Sequence, residues 1–232
     1  MASLTTLGFD ADDTLWHNER VFKLTEDRFA ALLSEFSAET DLKDRLLAAE
    51  RRNLSHYGYG IKGFTLSMIE TAIEVTDGKV PADVIADLLA AGREMLSHPV
   101  DPLPHVEDTL RALNGRYRMV LITKGDLFDQ ERKITASGLD VFFDAIEVVT
   151  EKNAETYRTL FGRHGNGVDR AMMIGNSLKS DILPALAAGA YAVHVPYEIT
   201  WALEEAGDPS ANERFHRLDH IGKVPPLLSR LA

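Results

Sequence analysis

Apolar positions recur with two different periods along the chain, and the change of period divides it. A short apolar run at Leu4, Leu7, Gly8 and Phe9 reads as a buried strand. After Trp16 the spacing turns to three, four and seven. Phe22, Phe29, Leu32, Leu33 and Phe36 mark one amphipathic helix, and Leu42, Leu46, Leu47, Leu54 and Tyr57 a second. Leu66, Ile69 and Ile73 mark a third; Ile85, Leu88, Leu89, Met95 and Leu96 mark a fourth, starting at Pro81-Ala82-Asp83. The helical block ends at residues 98–104, where three prolines cannot continue a helix. Residues 17–97 are therefore expected to form a helical insert, and 1–16 with 98–232 the domain that carries it.

From His105 onward, helix alternates with strand. The pattern predicts a helix over 106–113, closed by Asn114-Gly115, and a strand over 117–122 ending in Thr123-Lys124-Gly125-Asp126. A helix over 126–137, capped by Gly138, leads to a strand over 145–149 ending in Thr150-Glu151-Lys152-Asn153. Residues 154–163 read as helix, 170–174 as strand ending in Gly175-Asn176-Ser177, 178–188 as helix and 191–195 as strand. A polar loop around 207–210, a short strand over 215–218 and a turn or helix after Pro225-Pro226 complete the chain. Repeated strand–helix units of this spacing predict an α/β fold, a parallel sheet with helices on both faces.

Composition narrows the chemistry. At 232 residues, 45% hydrophobic and 26% charged, the chain has ordinary globular usage and fits one large domain or a domain with an insertion. A net charge of −11 disfavours a nucleic-acid backbone as partner and leaves no polybasic patch for a membrane, while small anionic substrates stay allowed. With no cysteine there is no disulfide framework, thiolate chemistry or zinc finger. No basic-then-apolar leader and no run of membrane-spanning length is present, so the cytoplasm is the default location.

Asp10, Asp12 and Asp13 fall within four residues at the end of the first strand. Carboxylates this close repel, which raises at least one pKa or calls for a cation among them, and Mg²⁺ suits carboxylate and carbonyl oxygens. Taken alone, the stretch also reads as a solvated acidic turn. In an open parallel sheet, however, the ligand crevice lies beyond the carboxyl ends of the strands. Asp10 and Asp12, Thr123, Lys152, and Asn176 with Asp181 all fall there. Individually, Thr123 reads equally as a helix cap, Lys152 as a surface residue and Asp181 as a first-turn acid. Together they suit phosphoryl transfer through an aspartyl phosphate: Asp10 as nucleophile, Asp12 as proton donor, Thr123 and the amide of Lys124 as a phosphate cradle, Lys152 as a fixed positive charge.

The segments D-A-D-D-T (10–14), Thr123 after an apolar strand, Lys152 after the next, and G-N-S-L-K-S-D (175–181) together resemble the four motifs of the haloacid dehalogenase superfamily. The resemblance covers the whole core, a Rossmann-like sheet, and makes the insert similar to that family's all-helical C1-type cap. It implies that Asp10 is the nucleophile, Asp12 the general acid/base, Thr123 and Lys152 phosphate binders, and Asp181 an indirect or direct Mg²⁺ ligand, joined by the backbone carbonyl of Asp12. Two positions depart from the pattern. Asn176 stands where an aspartate is common, and can offer only an uncharged amide oxygen to the metal. Asp13 stands where a glycine is common; aspartate tolerates a left-handed backbone, and its side chain is expected to face away from phosphate.

The resemblance implies a phosphatase acting on a small phosphorylated metabolite, a nucleoside monophosphate or sugar phosphate. A dehalogenase has no task for Asp12, because halide leaves without a proton. A phosphomutase keeps both acids and stays open. A phospho-accepting receiver module would carry its phosphorylated aspartate on the third strand and has no use for a lid; a non-catalytic phospho-ligand-binding protein is kept open by Asn176. A homodimer is compatible with the sequence. Other features read more plainly. Lys62, in the glycine-rich stretch 57–63, either reaches over a leaving group or belongs to an ordinary helix–helix turn, and Arg51-Arg52 reads as a solvated face. Residues 162–167 form a helix-ending loop, and His216 with His220 lacks an acidic partner for zinc.

Overall fold

The alternation of apolar residues along the core strands sends successive side chains to opposite faces, and the computed structural model, which describes residues 3–207 and 209–231, builds two cores from it. The first strand, β1 (Thr6–Phe9), is followed by four helices: α1 (Glu19–Leu32), α2 (Glu39–Tyr57), α3 (Ile61–Val75) and α4 (Ala82–Ser97). Then come α5 (Val106–Leu113), β2 (Arg118–Lys124), α6 (Leu127–Ser137), β3 (Ala145–Val149), α7 (Ala154–His164) and β4 (Ala171–Gly175). A π-helical turn at Leu178–Ile182 runs into α8 (Leu183–Ala188), before β5 (Tyr191–His194), β6 (Phe215–Arg217) and α9 (Val224–Leu231). Asp208, in the loop expected at 207–210, lies outside the described residues.

Among the described residues six strands form one parallel sheet in the order β3-β2-β1-β4-β5-β6. Leu7, Phe9, Met119, Leu121, Met172 and Ile174 face one core, packed by residues of α5, α6 and α9. Val120, Ile122, Ala171, Met173 and Ala192 face the other, filled by Tyr157, Leu160 and Phe161 of α7 and Ala185 and Ala188 of α8. The chain leaves β1 toward β2 and β3 on one side and takes β4, β5 and β6 on the other. The crevice beyond Phe9 and Gly175 is thus the topological switch point at which such sheets bind ligands.

The chain divides into two compact units. Of the described residues, one unit contains those up to Glu19, Val100–Lys124 and those from Arg132 onward, and holds the sheet; the other is Arg20–Pro99 with Gly125–Glu131. The second unit has its own core of Phe29, Leu33, Leu42, Leu46, Ile61, Phe64, Met68 and Leu88. Here the periodicity misjudged one face. Leu66 and Ile73 of α3 are exposed, while Ile61, Phe64, Ser67, Met68, Thr71 and Ala72 are buried. Small hydroxyl residues can line a buried helix face because they return their proton to the preceding turn: Ser67 donates to the Gly63 carbonyl and Thr71 to that of Ser67, at 2.9 and 2.8 Å. The helix expected over 178–188 also differs, opening as a π turn in which the Ile182 amide reaches back to the Ser177 carbonyl. Among the described residues, no helix is long and apolar enough to cross a membrane.

Candidate active site

Asp10 is the first residue beyond β1, and its amide still donates to the Ile174 carbonyl at 2.9 Å, so the neighbouring strand fixes its backbone. The side chain is buried at 6% exposure. One carboxylate oxygen lies 2.5 Å from Lys152 Nζ and the other accepts from Thr14 Oγ1 at 2.9 Å. Lys152 follows β3 and reaches the same point, where its ammonium also donates to Asp181 Oδ1 at 2.8 Å. Asp181 is fully buried, and its second oxygen accepts the Ser177 amide at 3.0 Å. Only a glycine could adjoin it: a Cβ on Gly175 would stand 2.2 Å from Asp181 Oδ2.

Two carboxylates around one ammonium leave one negative charge uncompensated. Burial, reinforced by the charge of Asp181 and opposed by Lys152, pushes the Asp10 carboxyl up to about 7. Burial works against the Lys152 ammonium as well, but Asp10 and Asp181 outweigh it and hold Lys152 above the usual lysine range. Among the described residues no three His, Asp or Glu side chains gather to hold a metal ion by themselves. Mg²⁺ asks for less, one or two carboxylates with other oxygens and retained water, and Asp10 with Asp181 could supply such a set. Asn176 is beside them: Thr14 Oγ1 lies 3.2 Å from its Oδ1 and accepts its amide N–H at 3.0 Å, while His194 Nε2 donates to its carbonyl at 2.9 Å.

The other two acids of the first loop take separate partners. Asp12 accepts from the indole N–H of the buried Trp16 at 2.7 Å and from Lys133 Nζ through both oxygens at 2.7 Å. Asp13 has the left-handed backbone that its chemistry tolerates, with φ of 61°. Its carboxylate accepts the amides of Asn18 and Glu19, at 2.9 and 3.1 Å, and so caps the start of α1. Burial raises Asp13 to about 7 against the pull of those amides.

Thr123 is buried near the end of β2, in register with Val148 of β3. Lys124 ends the strand, and its ammonium donates to Ser180 Oγ at 2.7 Å and to Glu204 at 2.6 Å. Glu204 also accepts from Ser177 and Ser180, both at 2.5 Å, which ties the segment after β5 to the turn that carries Asp181. Burial tends to raise Glu204, but the Lys124 charge and these hydrogen bonds hold it below the usual glutamate range. An acid depressed on folding contributes stability above its unfolded pKa of 4.5 and loses it as pH falls through the folded value. Glu204→Gln is therefore expected to cost about 1–3 kcal/mol at neutral pH, with the deficit narrowing below about pH 4. Urea midpoints at the two pH values measure this; a deficit independent of pH would assign the effect to lost packing.

The sequence-predicted residues Asp10, Lys152 and Asp181 are thus joined through one ammonium, with Asn176 linked through Thr14. Thr14 was visible in the motif but unassigned, although its position four residues from Asp10 was the available signal. Lys133 and Glu204 carried none beyond a lysine on the apolar face of α6 and a glutamate in an irregular segment. Lys62 sits in the first turn of α3 and donates to both oxygens of Asp126 at 3.0 Å, with its ammonium over the Phe128 ring. Arg52 pairs with Glu70 and Glu74 on an exposed helix face. His220 packs against His105, with ring centroids 4.5 Å apart and the planes tilted by 35°.

Known proteins match this architecture. The family model described as haloacid dehalogenase-like hydrolase matches residues 4–189. A haloacid dehalogenase-like family hydrolase from Xanthomonas campestris is 41% identical, with a TM-score of 0.88 over 99% of this chain and 92% of that one. L-2-haloacid dehalogenase from Xanthobacter autotrophicus shares the fold at 16% identity, with a TM-score of 0.68 over 99% of this chain and all of that one. A glyceraldehyde 3-phosphate phosphatase from Methanothermobacter thermautotrophicus is 35% identical over 107 residues, 44% of this chain, so the match spans about half the length of that relative, 47%. A central-strand aspartate paired to a lysine that a second buried aspartate shares, in a chain matched by this model over most of its length, leads to one conclusion: the protein belongs to the haloacid dehalogenase-like hydrolases.

Proposed function

We propose that the protein is a Mg²⁺-dependent phosphomonoester hydrolase that works through an aspartyl phosphate on Asp10 and acts on a small phosphorylated metabolite. The observation that carries the reading is the division of labour among the acids. Asp10 is buried and paired to Lys152, whereas Asp12, two residues on, is held partly exposed by Lys133 and Trp16. A dehalogenase needs the first group and has no task for the second.

In the first step an Asp10 oxygen attacks phosphorus, the bond from phosphorus to the leaving oxygen breaks, and Asp12 gives that oxygen its proton. In the second, water attacks phosphorus, its proton passes to the Asp12 carboxylate, and the bond to Asp10 breaks to release inorganic phosphate. Lys152 holds a positive charge against the phosphoryl oxygens in a buried setting, where such a charge acts most strongly. Thr123 and the amide of Lys124 provide hydrogen-bond donors at the end of β2. Bound Mg²⁺, held by Asp10, Asp181, the Asp12 carbonyl and Asn176, would neutralise developing charge on the phosphoryl group. The helical insert is the candidate for selecting the substrate.

Triose phosphates head the substrate panel, since one relative is named for glyceraldehyde 3-phosphate, followed by other sugar phosphates and nucleoside monophosphates. Phosphate release with Mg²⁺, abolished by EDTA and restored by added Mg²⁺, is the expected result. Halide release from 2-chloropropionate without phosphate release from any phosphomonoester would overturn the reading.

A further inference from the structure

Resting on the reading of Asp12 as the general acid, we infer that Lys133 is a positioning residue for that acid. Lys133 lies in the middle of α6, 121 residues beyond Asp12, and its side chain is only 9% exposed. Lysine is almost never buried to this degree without a dedicated partner, because taking an ammonium out of water is expensive. Here its partner is Asp12, both of whose oxygens it meets at 2.7 Å. It also donates to the side chain of Asn18 at 3.2 Å, in the turn before α1 whose start Asp13 caps.

The geometry is that of a clamp. A two-atom contact from Lys133 fixes the plane of the Asp12 carboxylate, and the Trp16 indole N–H fixes one oxygen. Trp16 itself is 1% exposed and cannot swing, with its carbonyl bonded to the Asp13 amide at 2.8 Å. An aspartate without these contacts would rotate about χ1 among staggered wells and spend most of its time away from the transferring proton. Lys133 acts through Asp12.

The test exploits the leaving group. A phosphorylated alcohol leaves as a strong base and needs the proton of Asp12, whereas a nitrophenolate leaves without it. Values of kcat/KM, which report the first chemical step, are measured for an alkyl phosphate and for p-nitrophenyl phosphate in the wild type, Lys133→Met, Asp12→Asn and the double variant. Asp12→Asn is expected to lose roughly 10²–10⁴ on the alkyl phosphate and far less on the aryl one. Lys133→Met is expected to follow the same order at about 10-fold or more, and to add nothing to Asp12→Asn. Lys133→Gln, which keeps an uncharged NH₂ donor group, should show a smaller loss in the same substrate order and serves if the methionine variant folds poorly. An equal loss on both substrates, a gain, or a full additional loss in the double variant would overturn the role of Lys133. A loss in Asp12→Asn that ignores the leaving group would overturn the general-acid reading itself, and this inference with it.

Discussion

Asp10→Asn is expected to abolish turnover, by at least about 10⁴ in kcat/KM, and at alkaline pH without metal to make the protein more stable. The two effects share a cause. Folding lifts the Asp10 carboxyl from its ordinary 3.8 to about 7, through burial and the neighbouring charge of Asp181. For an acid raised in this way, the folded protein keeps a proton that the unfolded chain has released between those two values. The group's contribution therefore falls as pH rises through that window and stays low above it. Asparagine mimics the protonated carboxyl and cannot ionise. Its advantage is absent near pH 4 and reaches on the order of 1–3 kcal/mol near pH 8. Urea midpoints in EDTA at those two pH values, together with phosphate release, measure both halves. Full turnover in the variant would remove Asp10 from the nucleophile's role; lower stability at the higher pH would show that the bond to Lys152 outweighs the strain of two buried carboxylates.

That combination, chemistry gained at the expense of fold stability, also accounts for what was legible in the sequence. The sheet could be read because the apolar period changes at Trp16 and again at His105, and a parallel sheet sends its strand ends to one edge. Three acids after a strand, a lysine after another and an aspartate after a third were conspicuous because they break the pattern that burial favours. Residues that support them left no such mark. Thr14 is one hydroxyl in a polar turn, yet it lies against Asp10 and Asn176 together. Lys133 reads as one more charge on an amphipathic helix, and nothing local ties it to Asp12 across 121 residues. The ammonium of Lys124 points to Ser180 and Glu204, a partnership that depends on how an irregular segment returns after β5. The phase of α3 was misread because Ser67 and Thr71 satisfy their own hydroxyls within the helix.

Lys152→Met tests the other side of the same balance, and the expected loss is the largest in stability of any single change at the site. The side chain is 2% exposed, and its ammonium stands against two carboxylates, at 2.5 Å from Asp10 and 2.8 Å from Asp181. Methionine fills a similar volume, so packing is nearly kept while both acids lose their cation. Breaking a buried pair in this way costs about 3–5 kcal/mol, because the remaining charge is left desolvated and uncompensated. Lys152 is held above the usual lysine range, so its contribution is present throughout the neutral range and would be lost only as pH rises through that elevated value. Acid that protonates Asp10 relieves the variant, and its deficit shrinks toward low pH. Adding Asp10→Asn removes one of the two stranded charges and should recover a substantial part of the stability without recovering any turnover. Thermal and urea midpoints of the two single variants and the double variant give the coupling directly. Recovery no larger than the gain that Asp10→Asn gives alone would mean that Lys152 and Asp10 do not form the unit that their geometry describes, whereas recovery beyond that gain, with a dead enzyme, is the signature of a pair kept for its chemistry.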